Sequence, residues 1–190
     1  MTDAASKPTT IAEFLDRVRE AYEDYTSAIA SCSDEALVAP DTIGSWSVRD
    51  VIAHVGADEQ WMAGHLEALL AGELPTAQSC YGSDEPLPEG MSLVTQDGRN
   101  AWQRERLRGL SLEEVRALAA EGHRRLMAAI ASFADAQLAE ELAIANLGTT
   151  GHIRKRNVGE QGWPLWEWLR GVTYHHYADH AAALRQLSGR

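Results

Sequence analysis

A chain of 190 residues with 45% hydrophobic side chains is long enough for one domain with a sizeable core, and none of its apolar runs reaches the roughly 20 residues of a membrane span. Seventeen Lys and Arg stand against 28 Asp and Glu, a formal charge of −11 that would repel a phosphate backbone, so neither nucleic acid nor membrane is an expected partner. Cys32 and Cys80 lack metal-type spacing and the start of the chain has no secretory h-region, so a reduced, cytoplasmic protein is expected.

Residues 1–9 are small and polar and read as a flexible N-terminus, leaving 10–190 as a single domain. Thr10 and Glu13 have capping-box spacing, and Ile11, Phe14, Leu15, Val18, Tyr22, Tyr25 and Ile29 follow at helical period to about Ser31. Pro40 and Gly44 mark 33–45 as a connector with room for one short helical turn. Ser47 with Asp50 is the clearest helix start, with Trp46 placed to staple onto Val51 and Gly72 placed as the stop. Val48, Val51, Ile52, Val55, Met62, Leu66 and Leu69 make its core stripe. Beside them run His54, Asp58, Trp61 and His65, either a pocket wall or a border with solvent; His65 is read as border.

Residues 73–93 hold three prolines and two glycines and form a long connection. A shorter helix follows from about Asp97 to Arg108. Ser111 and Glu114 then cap a third long helix carrying Val115, Leu118, Leu126 and Ile130, in which Gly122 suggests a close helix contact. The connection 134–162 contains Arg154-Lys155-Arg156, read as a solvated charge run. Pro164 opens the last helix, which runs to Leu187 without interruption. No strand-type alternation is present. The class is all-α, a four-helix bundle.

In the last helix His176 and His180 lie four apart, on the stripe of Leu169, Val172, Ala183 and Leu187. Two inward imidazoles need partners: either neighbouring polar groups or one shared metal ion. His54 lies about 10 Å inside its helix, and His180 a similar distance from the end of the last one. They fall at one height only if those two helices run antiparallel. That demands a bundle in up-down-down-up order, with a long crossover between the second and third long helices, and residues 73–93 supply it.

Trp46 through His54 resembles the second-helix signature of the DinB-like superfamily. Asn100 through Leu138 is similar to its DfsB-type branch, and His176-x-x-x-His180 to its last-helix pair. The resemblance implies that His54, His176 and His180 hold a divalent transition metal, zinc or nickel. It also implies kinship with thiol-cofactor-dependent transferases and isomerases, such as the mycothiol-dependent maleylpyruvate isomerase, and with a hydrolase that protects against a genotoxin. Where an isomerase-type relative carries Glu in the last-helix motif, this chain has histidine at both ends.

Three neutral imidazoles would leave the ion its full charge and an open position, the pattern of a catalytic zinc. Asp58, one turn beyond His54, is the candidate to orient a histidine or accept a proton. His175, Tyr177 and Trp61 read as peripheral or packing residues, and His123 has no evident partner. The expectation is a metal-dependent thiol S-transferase or small-molecule hydrolase in detoxification or stress response, using a low-molecular-weight thiol. The alternative is a non-catalytic metal- or ligand-binding bundle, dimeric through an apolar flank.

Overall fold

The computed structural model describes residues 7–73, 96–142 and 163–188. Helix α1 is Ile11–Ala30, α2 Asp34–Val38, α3 Val48–Leu70, α4 Gln96–Leu107, α5 Leu112–Ala131, α6 Leu165–Val172 and α7 Tyr174–Ser188. Among the described residues none of these helices is long and apolar enough to cross a membrane.

The helix starts follow from local hydrogen bonding. Ser47 accepts from the Asp50 amide while the Asp50 carboxylate accepts from the Ser47 amide, and Ser111 and Glu114 repeat the pair at α5. At α1 the arrangement is shifted by one residue: Thr10 accepts from the Glu13 amide, but Glu13 takes the amide of Thr9. Helix α3 ends in a Schellman motif, in which Gly72 at φ 74° donates to Leu69 and Glu73 donates to Ala68. The connector 33–45 contains α2, capped by Ser33.

Contacts along the helices establish their directions. Arg49 reaches Leu107 and Leu110, Glu59 pairs with His123, and Glu67 meets Arg125, so α3 and α5 run parallel. Phe14 packs on Tyr174, and Asp24 pairs with Arg185, so α1 and α7 are also parallel. His54 meets His180, and His65 meets Trp168, which sets the α6–α7 arm antiparallel to α3. The bundle is therefore up-down-down-up. The crossover between α3 and α5 includes α4; its segment 74–95 lies outside the described residues.

The close contact expected at Gly122 is present, and Gly56 faces it. A Cβ on Gly122 would stand 2.6 Å from the Gly56 carbonyl oxygen, and one on Gly56 would stand 2.6 Å from the Ala119 Cα. The axes of α3 and α5 approach too closely there for any side chain.

One expectation is corrected. The last helix is broken at Thr173, whose φ −118° and ψ −112° are not helical. The hydroxyl of this β-branched residue donates to the Leu169 carbonyl at 2.7 Å, a local bond that competes with helix continuation. Leu169 and Val172 thus belong to α6, while His176 and His180 belong to α7. Two-residue strands also pair antiparallel, β1 at Glu141–Leu142 with β2 at Trp163–Pro164, tying the segment after α5 to the start of α6 within an all-α fold. Backbone pairing between these two segments, rather than side-chain alternation, makes that pair. The Arg154-Lys155-Arg156 run lies outside the described residues.

Candidate metal centre

His54 projects from α3, while His176 and His180 project from α7. The Nε2 of His176 lies 3.1 Å from that of His54 and 3.0 Å from that of His180. The candidate ligand atoms of all three lie within 4.8 Å of one another. His54 and His176 are buried and His180 is half-buried, so the cluster sits at the end of an internal face.

A relay behind His54 fixes which of its nitrogens faces the cluster. The Gln103 amide nitrogen donates to Asp58 Oδ1 at 2.6 Å, because a carboxylate can only accept. Its carbonyl oxygen must then face His54 Nδ1, at 2.9 Å, and that nitrogen must carry the proton. The Nε2 of neutral His54 is left as a bare lone pair directed at the other two rings. A carboxylate acting through an amide on a ligand histidine is the kind of support that metal sites use to orient imidazoles and raise their basicity. The second carboxylate oxygen of Asp58 lies 3.7 Å from His54 Nε2, close enough to act on whatever binds there.

The donor set fits a divalent ion. Nitrogens about 2.0–2.1 Å from one tetrahedral zinc lie roughly 3.3 Å apart, near the two separations observed. Three neutral imidazoles suit zinc or nickel and leave at least one position open.

Asp58 thus stands beside the cluster, as its spacing on α3 suggested, but Gln103 was not foreseen. Nothing in its spacing sets it apart from Gln96 or Asn100 on the same helix, and its 1% exposure comes from the crossover that lays α4 against α3. Trp46 sets its ring edge-on to His54, with centroids 5.3 Å apart, and lies under Arg104.

His65, read from the sequence as a border residue, is fully buried. It packs between Trp61 and Trp168, its Nδ1 lies 3.0 Å from the Trp61 carbonyl, and burial pushes its pKa down to about 4. The pattern misled because the tryptophan of α6 covers what α3 alone would expose. His123 also has partners: Glu59 Oε1 at 2.7 Å and the ring of Tyr22 stacked at 3.5 Å. The Tyr177 hydroxyl donates to the same Glu59 oxygen at 2.5 Å. That buried cluster lies on another face of α3 from the three histidines.

An up-down-down-up bundle with inward histidines from its second long helix and its last belongs to the DinB-like class. The family model of the mycothiol maleylpyruvate isomerase N-terminal domain matches residues 18–158, and the chain belongs to that family. The match includes His54 and stops before His176 and His180. No curated protein matches the chain. Among solved structures, a protein from Escherichia coli UTI89 superposes with a TM-score of 0.69 at 16% identity, covering 96% of this chain and 94% of that one. A protein from Streptococcus pneumoniae gives 0.66 at 13%, covering 95% and 91%. The colibactin self-resistance protein ClbS, in complex with dsDNA, gives 0.68 at 12%, covering 96% and 97%.

The last of these corrects the exclusion of nucleic acid drawn from net charge. A protein of this fold has been crystallised on duplex DNA. Whole-chain charge is a sum over the surface and does not forbid a locally basic contact.

Proposed function

We propose that the protein is a metal-dependent enzyme in which His54, His176 and His180 hold a zinc or nickel ion, acting on a small electrophile in detoxification or stress response. The reaction is transfer of a low-molecular-weight thiol, or hydrolysis. The observation that carries the reading is the convergence of three imidazole nitrogens from two helices, with the proton of His54 held on the far side by Gln103 and Asp58. Bound there, such an ion lowers the pKa of a thiol or water at its open position and polarises an electrophile. Gln103 keeps His54 in the ligating tautomer. Asp58 offers its second oxygen as acceptor for the proton that the nucleophile releases. The family's link to mycothiol chemistry supports a thiol as cosubstrate.

Titration with mycothiol or bacillithiol, followed by tryptophan fluorescence, tests the thiol part, since Trp46 adjoins His54. Saturable quenching is expected below millimolar thiol in zinc-loaded protein and not after stripping. Absence of any change at millimolar thiol in the loaded protein would count against a thiol cosubstrate.

A second reading, contact with duplex DNA, is supported by the ClbS complex. A cleft of about 550 Å³ between α3 and α4 offers a place for such contact: Arg49, Arg104 and Arg108 line it beside Trp46, with Asp50 paired to Arg49 and Glu105 to Arg108. This reading predicts that anisotropy of a labelled duplex rises with protein at low salt, falls as salt is added, and is weakened by Arg108→Glu. A flat titration removes this reading and leaves the enzyme reading untouched.

A further inference from the structure

A second cavity, of about 270 Å³, opens between α1 and α5 and has α3 as its floor. Ile29, Ile52 and Val55 give it apolar walls, and Ala30, Arg116 and Ala120, all exposed, surround its mouth. Tyr22, Tyr25 and Glu59 line it as well. Glu59 is 0% exposed.

Its carboxylate is satisfied on one side only. His123 and the Tyr177 hydroxyl both meet Oε1, whereas Oε2 is buried with no hydrogen-bond partner. The hydroxyl of Tyr25 is likewise buried and unpartnered. Two polar atoms in this state at one cavity carry a desolvation cost that a bound donor would relieve. Tyr22 and Tyr25 add aromatic surface able to attract a cation.

We propose that this cavity is a binding site for a small amphipathic amine. Its ammonium head donates to Glu59 Oε2, and its apolar body lies against Ile29, Ile52 and Val55. The site shares no side chain with the histidine cluster and does not depend on the metal reading. Burial, with a smaller push from Asp58, holds the carboxyl of Glu59 above the usual carboxylate range despite the contacts from His123 and Tyr177; an ammonium donating to Oε2 would oppose that rise and favour the carboxylate.

Benzylamine, benzyl alcohol and benzoate present one body with cationic, neutral and anionic heads. Each is titrated into isotopically labelled protein, following the amide shifts of Tyr22, Tyr25 and Ala120 so that ligation near His54 is read separately. Benzylamine is expected to saturate these shifts and to bind about tenfold or more tighter than the other two, the weight of one charge-assisted hydrogen bond. Glu59→Gln should remove that preference. Ala120→Trp, an exposed substitution at the mouth, should abolish binding without burdening the core. The proposal is overturned if none of the three produces saturable shifts there, if benzyl alcohol or benzoate binds as tightly as benzylamine, or if Ala120→Trp leaves benzylamine affinity unchanged.

Discussion

Zinc added to metal-free protein at a hundred times its dissociation constant is expected to raise the unfolding temperature by about 5–10 °C, because an ion bound only by the folded state adds about 2.7 kcal/mol to a chain of this size. Elemental analysis should then find about one equivalent per chain, the capacity of a single open three-histidine site. His54→Ala and His176→Ala should each abolish both the shift and the retained metal, since two imidazoles remain where three converged. Gln103→Leu is the more discriminating variant. It leaves all three ligands in place but releases the Nδ1 proton of His54 from its acceptor, and loss of such support weakens metal binding about 10- to 100-fold. Lower pH should release the ion from every variant that binds it, because ligand nitrogens must be deprotonated. Reloaded wild-type protein retaining less than about a tenth of an equivalent of any transition metal would sink the metal reading. A Gln103→Leu protein that binds as tightly as wild type would sink the relay alone.

Much of this arrangement was legible in the chain because helices announce themselves locally. Ser47 with Asp50 and Ser111 with Glu114 are three residues apart and act within a single turn, so spacing alone locates the helix starts. The up-down-down-up order was reachable because a 1.5 Å rise per residue decides whether His54 and His180 share a height. What stayed hidden depends on distant segments. Gln103 meets His54 and Asp58 only because the crossover brings α4 onto α3, and no period along the chain encodes that contact. No spacing along α3 marks Glu59, because α5 and α7 deliver its partners His123 and Tyr177 from distant parts of the chain. The break at Thr173 was missed because apolar periodicity is nearly blind to one non-helical residue. Net charge is blind in another way: a sum over all residues says little about any local patch of surface.

Gly122→Ala is expected to destabilise the protein by about 1–2 kcal/mol, although glycine is the poorer helix former by about 1 kcal/mol. The sign is decided by what the new methyl meets. It would stand 2.6 Å from the backbone oxygen of Gly56, and a backbone atom cannot rotate aside as a side-chain tip can. Overpacking of this kind costs about 1–3 kcal/mol, so against a rigid obstacle it outweighs the gain in propensity. Gly56→Ala faces the Ala119 Cα at the same distance and should behave alike. Gly109→Ala, with nothing within 4 Å, supplies the control and should be neutral. Urea unfolding measures all three, and a Gly122→Ala protein as stable as wild type would mean that the crossing yields freely. The consequence reaches the histidines. Gly56 lies two residues beyond His54 on α3, and relief of the clash moves α3 away from α5, changing where His54 stands relative to His176 and His180 on α7. A variant made wholly on the α3–α5 face is therefore expected to lose zinc affinity as well as stability, whereas an independent site would lose stability alone.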